Sequence, residues 1–139
     1  MTLSIAGRCV RSGQFGVAIS SSSPAVAARC AWARAGVGAA CTQNITDPRL
    51  GTVLLDSMAQ GDSASDAMST VIHTEPLIAW RQLTAIDRNG ATATWSGEHT
   101  LGVHATAEGL DCVAAGNLLA NRGVPTAMVS AISERLSSV

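Results

Sequence analysis

Apolar and polar residues alternate from the first positions of the chain. Leu3 and Ile5 alternate with Thr2 and Ser4, which predicts a strand over 2–10. Arg11-Ser12-Gly13-Gln14 reads as a turn, and Phe15-Gly-Val-Ala-Ile-Ser20 as the returning strand of a hairpin. Pro24, after a run of four serines, limits pairing there, and 25–33 reads as a short helical or irregular connection. Gly36–Gln43 is apolar on both faces and predicts a third strand buried on two sides.

The period then changes to that of helices. Asp47-Pro48 is a helix start, with an N-cap acid and a proline at the first helical position. Leu50, Val53, Leu54 and Met58 follow at helical spacing, and Gly61 closes the segment. Ser63-x-x-Asp66 resembles a capping box and opens a second helix through His73, which Pro76 forbids from continuing. Two strand-like runs, 80–87 and 91–96, flank Asn89-Gly90, a strong hairpin signal. Residues 110–116 predict another strand and Val124–Leu136 a final helix. Clustered strands with separate helices argue for an α+β layered fold over alternating βαβ units.

Composition narrows this picture. At 139 residues the chain has the length of one domain. Hydrophobic residues make up 47%, yet there are one Phe, three Trp and no Tyr, so the core must close through small side chains. Trp32, Trp80 and Trp95 are expected to be its large pieces. Charged residues are only 14%; this fits either an Ala/Ser-rich composition or a surface partly covered by another polypeptide. A net charge of −1 with no basic cluster gives no footprint for nucleic acid. No apolar run approaches the length of a membrane span. Arg8 follows the first apolar residues instead of preceding them, the wrong order for a signal peptide, so a cytoplasmic location is expected. Cys9, Cys30, Cys41 and Cys112 form no C-x-x-C pair and read as free, buried thiols. His73, His99 and His104 have no metal-ligand spacing, and Gly36-x-Gly38 lacks the third glycine of a dinucleotide loop. No metal or cofactor is expected.

The stretch Trp32-Ala-Arg-Ala-Gly-Val-Gly-Ala39 with Thr42-Gln43, and the opening Met1-Thr-Leu-Ser-Ile5, resembles the bacterial domain of unknown function 1028 family. Matching features recur in order along the chain: Gly16-Val-Ala18, Pro48 with Gly51, Arg81-Gln-Leu83, Asp87 with Gly90, Trp95-Ser-Gly97 and Gly116-Asn-Leu-Leu119. The resemblance implies an N-terminal-nucleophile (Ntn) hydrolase-like fold: two antiparallel sheets sandwiched between helical layers, an αββα arrangement. It has two departures. Chains of the family continue past the point corresponding to Val139, which implies either a shortened homologue or a fold completed by a second polypeptide; and the run Ser20–Ser23 replaces a more varied stretch.

An Ntn enzyme uses the side chain of its first residue as nucleophile and the α-amine of that residue as base. Thr2, exposed if Met1 is removed, is the residue the resemblance implies for that role. Asn117, after Gly116 at a strand end, is placed to donate to an oxyanion, or to serve as a turn or cap. Arg34 suits either a substrate carboxylate or a structural salt bridge. Ser20, Thr42 and Gln43 are expected to line the substrate pocket. The function implied is hydrolysis of a small amide, a cyclic amide or carbamoyl compound, by a homo- or hetero-oligomer. Two alternatives stand beside it: a subunit whose partner supplies the nucleophile, and a ligand-binding pseudoenzyme.

Overall fold

Strand pairing sorts the chain into two antiparallel four-stranded sheets. A computed structural model describes residues 1–137, with side chains through Arg135. The elements in chain order are β1 (Thr2–Arg8), β2 (Phe15–Ser21), α1 (Ala27–Cys30), β3 (Ala31–Arg34), β4 (Gly38–Asn44), α2 (Arg49–Ala59), α3 (Ala64–Thr74), β5 (Arg81–Asp87), β6 (Thr92–Ser96), β7 (Ala105–Gly109), β8 (Cys112–Asn117) and α4 (Val124–Ser137). The first sheet runs β2-β1-β8-β7 and the second β3-β4-β5-β6. The sheets stack face to face, α2 and α3 cover the second, and α4 covers β7, β8 and part of β1. The fold is therefore α+β, as the residue pattern predicted, in the four αββα layers that the resemblance implied.

Side-chain alternation explains the stacking. Even positions of β4 and odd positions of β5, Ala40, Leu83 and Ala85, join Leu50, Leu54, Met58, Met68 and Val71 beneath the two helices. Positions of opposite parity, Ala39 and Ile86, meet Ala6 and Val113 of the first sheet. Gly51 is required on α2, because a Cβ there would stand 2.1 Å from Trp32 Cδ1. The helix and β3 can approach only where that side chain is missing.

Local signals fixed most boundaries. Asp47 Oδ1 accepts from Arg49 N at 3.0 Å, so the acid caps α2, although the helix itself begins one residue later than expected. Ser63 accepts from Asp66 N at 3.1 Å and starts α3. At Asn89-Gly90, Gly90 takes φ +85°, and Asp87 Oδ1 accepts from Asn89 N and Ala91 N at 2.8 and 3.1 Å.

Several expectations need correcting. Of residues 25–33, expected as a short helical or irregular connection, 27–30 form the one-turn α1, but 31–33 belong to the strand β3. β7, Ala-Thr-Ala-Glu-Gly, alternates only alanine with polar residues, a weak strand signal, and was not foreseen; β8 recruits it as a ladder partner. β1 stops at Arg8, because Cys9 N turns to Gln14 O at 2.8 Å. Cys9 is half-buried, while Cys30, Cys41 and Cys112 are buried as expected. Trp80 is 40% exposed and lies beside His99, their ring centroids 4.6 Å apart. Trp32 and Trp95 do pack against the core. The departure expected at Val139 lies outside the described residues.

Candidate functional site

The registers place the inter-sheet side chains in three rows across the sandwich. The lowest is apolar at its centre, Val17, Ala6 and Val113 against Ala39 and Ile86, and ends at the edge strands in a hydrogen bond from Thr92 to Glu108. The middle row carries small polar groups: Ser4 on the first sheet, Cys41, Thr84 and Thr94 on the second. The uppermost carries Ser21, Thr2 and Asn117 on the first sheet and Gln43, Gln82 and Ser96 on the second. Polarity thus rises along the interface towards the end where β1 begins.

Gln82 organises the uppermost row. It is fully buried, its Nε2 donates to Gly116 O at 3.0 Å and to Ser96 Oγ at 3.1 Å, and its Oε1 accepts from Gln43 Nε2 at 2.8 Å and Asn117 Nδ2 at 3.1 Å. A main-chain carbonyl can only accept, so Gly116 forces the Gln82 amide to present Nε2 to it. Gln82 Oε1 must then face the other two amides, which must donate. The direction of every amide in the network follows from one backbone atom. One Nδ2 hydrogen of Asn117 remains for another acceptor.

Three side-chain atoms in these two rows, Ser4 Oγ, Gln43 Oε1 and Thr84 Oγ1, are buried with no hydrogen-bond partner among the described residues. The two hydroxyls have the weak Cys41 thiol beside them, whereas Gln43 Oε1 is left with no donor, at a cost of about 1–3 kcal/mol, which marks a place not shaped for stability alone. Between Ser4 and Thr84 lies the Cys41 thiol. Burial pushes it up to about 11, against the opposing influence of the two hydroxyls. It is therefore a neutral thiol at physiological pH, and no nucleophile there.

Thr2 is half-buried, and its Oγ1 lies 2.8 Å from Ser21 Oγ. Ser21 Oγ donates to Met1 O at 3.2 Å and accepts from Ser23 N at 3.1 Å. With its one proton on Met1 O, Ser21 must accept from Thr2. Met1 is 46% exposed and contributes little packing.

Two of the four non-glycine residues with left-handed φ among those described directly follow site residues: Asn44 (+75°) after Gln43, and Leu118 (+51°) after Asn117; the other two, Ala25 and Asp111, lie elsewhere. Asn tolerates this region, but a leucine there costs about 1–2 kcal/mol. One residue links both: Leu101 N donates to Asn44 Oδ1 at 3.1 Å, and Leu118 N donates to Leu101 O at 3.0 Å. Strain held by surrounding structure in this way is characteristic of functional sites.

The residues expected from the sequence divide. Thr2, Gln43 and Asn117 come together in the uppermost row. Ser20 does not join them: it pairs with Leu3 and is exposed on the outer face of its sheet, and the neighbouring Ser21 takes the inward position. Thr42 points towards the helices and donates to Asp47 O at 3.2 Å. Arg34 lies on that helical side too, 2.8 Å from Asp56, so of its two readings the geometry favours the salt bridge. Ser21 falls within the expected run of hydroxyls, Ser20 to Ser22, whereas Gln82 and Ser96 were not singled out as site residues. The signal for Gln82 was present, a polar residue at an inward position of the central strand Arg81-Gln-Leu-Thr-Ala-Ile-Asp87. Among the described residues no group of three or more His, Cys, Asp or Glu side chains is placed to hold a metal ion.

Comparison with known proteins bears on this arrangement. Residues 2–138 match the family model described as "Family of unknown function (DUF1028)". The chain belongs to that family. The crystal structure of a DUF1028 protein from Silicibacter pomeroyi superposes with a TM-score of 0.89 at 25% identity, covering 93% of this chain. This chain spans 60% of the length of that DUF1028 relative. No curated protein matches it. No helix among the described residues is long and apolar enough to cross a membrane.

Proposed function

We propose that this protein hydrolyses a small neutral amide through Thr2, by the N-terminal-nucleophile mechanism of an Ntn-like hydrolase, in the cytoplasm. The observation that carries this reading is the uppermost row. A threonine hydroxyl, the spare N–H of Asn117 and the unpartnered acceptor Gln43 Oε1 share one end of the interface. An amide has the complementary set: an electrophilic carbon, an oxygen that accepts and a nitrogen that donates.

The chemistry begins with removal of Met1, which frees the α-amine of Thr2. The amine, ordinarily of pKa about 8, takes the Thr2 hydroxyl proton as Oγ1 bonds to the amide carbon. Negative charge develops on the amide oxygen, where the remaining Asn117 N–H donates. The C–N bond then breaks, and the leaving nitrogen takes the proton from the α-amine. Water, deprotonated by the same amine, attacks the Thr2 ester, releases the acid and restores the hydroxyl. Loss of Met1 also removes the carbonyl that holds the Ser21 proton. Ser21 is then free to donate towards Thr2.

Two measurements test this. Intact mass reports whether Met1 is absent from the purified protein. Ammonia or amine release is then followed for Thr2→Ala and Thr2→Ser. Loss in the first and partial retention in the second are expected; unchanged turnover in Thr2→Ala would overturn the reading.

One observation favours a second reading, a subunit completed by another chain. α4 leaves much of β2 uncovered, so that Gly16, Ala18 and Ser20 are exposed and a hollow of about 440 Å³, lined by Ile5, Gly7, Phe15 and Ile132, opens beside it. That reading requires a partner in the purified assembly; a monomer active on its own would exclude it.

A further inference from the structure

Three exposed apolar side chains stand on the backbone that leaves the uppermost row: Ile45, Leu101 and Leu118 are 47%, 41% and 48% exposed. Each issues from backbone tied to the site. Ile45 follows the Gln43-Asn44 pair, Leu118 follows Asn117, and Leu101 is hydrogen-bonded to both segments. The segments that carry them, 43–46, 100–103 and 116–121, contain no Asp, Glu, Lys or Arg.

Leu118 is the informative member. A left-handed φ of +51° would be relieved by glycine, yet a leucine occupies it. The loop makes room for that leucine: a Cβ on Gly102, itself at φ +62°, would stand 2.8 Å from Leu118 Cδ2. Gly102 and Leu101 thus hold the side chain of a strained residue at the surface, where it gains little from burial.

We propose that Ile45, Leu101 and Leu118 form a subsite for an uncharged apolar substituent carried by the amide. Resting on the reading of the row as an amide site, this names the substrate class: a neutral amide with an alkyl or aryl arm. It disfavours the carboxylate-bearing substrate that Arg34 suggested, because that guanidinium lies on the other side of the second sheet, paired with Asp56.

The test titrates the protein with a series of primary aliphatic amides, acetamide to octanamide, with octanoate as charged control. Binding is read by NMR shift perturbation and turnover by ammonia release. Each methylene that enters the subsite is expected to tighten binding about two- to fourfold, and octanoate to fall off the trend. In Leu118→Gly, which removes the side chain while relieving the backbone, and in Leu101→Ser, the dependence on chain length flattens. Equal affinity along the series, no binding, or an unchanged trend in both variants would overturn the proposal. So would a dimer that Leu118→Gly dissociates with no amide bound, which would assign the surface to a second copy. Chain-length dependence without ammonia release keeps the subsite and removes the hydrolysis; ammonia release without chain-length preference does the reverse.

Discussion

The two ends of the inter-sheet space are built by the same strands and differ in what they bury. At the Ala6 end, Val17, Val113, Ala39 and Ile86 close the gap with aliphatic contact. Charged groups there brace the turns: Asp87 Oδ2 accepts from Ala64 N at 3.0 Å, and Arg8 pairs with Asp111 at 2.8 Å. At the Thr2 end the same strands bury three amides, one of them with an unpartnered oxygen, beside the half-buried hydroxyls of Thr2, Ser21 and Ser96. The first end joins the sheets mainly through small apolar residues, although it too holds an unpartnered buried atom, Arg8 Nε, and a left-handed residue, Asp111. What sets the Thr2 end apart is the buried amide row, and the proposed site is the use we assign to it.

The sharpest break of this comparison is Thr2→Ala. We expect amide turnover to fall by about 10⁴-fold or more with the thermal midpoint nearly unchanged, measured by ammonia release beside calorimetry. The converse change is Ile86→Ala at the other end. It should lower unfolding stability by about 2–5 kcal/mol in a denaturant titration and leave KM for an amide substrate unaltered.

These predictions rest on different amounts of sequence information. Alternation in Thr2–Ser4, capping at Asp47 and Ser63, and Asn89-Gly90 made most elements legible, because each signal is local. β3 and β7 were hidden because Ala31–Arg34 and Ala105–Gly109 gain their strand character only from partners, β4 and β8. The site was half legible for a related reason. Thr2 and Asn117 carry recognisable chemistry, but which serine faces inward depends on register, and a shift of one residue exchanges Ser20 for Ser21. Arg34 and Thr42 were drawn to the site by proximity in sequence, while the pleat sends them to the helical side. Gln82 could be recognised as the organiser only once Gly116 was placed beside it.

Smaller effects refine the contrast. Gln82→Leu leaves Gly116 O without its partner and lets Gln43 and Asn117 turn. We expect a loss of about 1–3 kcal/mol in stability and a larger proportional loss in turnover, separable by working well below the melting temperature. In the middle row, the Cys41 thiol is raised in the folded protein from 9.0 to about 11. The stabilisation this represents is complete below pH 9 and lost as pH rises towards 11. Stability should fall by at most about 1.4 kcal/mol per pH unit in that window, and the fall should shrink in Cys41→Ala. The smallest effect is a difference in labelling. Hydrogen bonding by Ser12 draws the Cys9 thiol below its ordinary value, so iodoacetamide at pH 8 should modify Cys9 well before Cys41.

The contact between Gly116 O and Gln82 has a consequence for selectivity between isosteres. Because the main chain cannot be turned over, the row is a one-way relay of donors, and it ends at Gln43 Oε1 as a fixed lone pair. An ester of the same shape as a bound amide would bring a second lone pair to that atom, where the amide brings a hydrogen. Discrimination between nitrogen and oxygen would then be enforced by repulsion inside the protein, and the more reactive ester would be the poorer substrate.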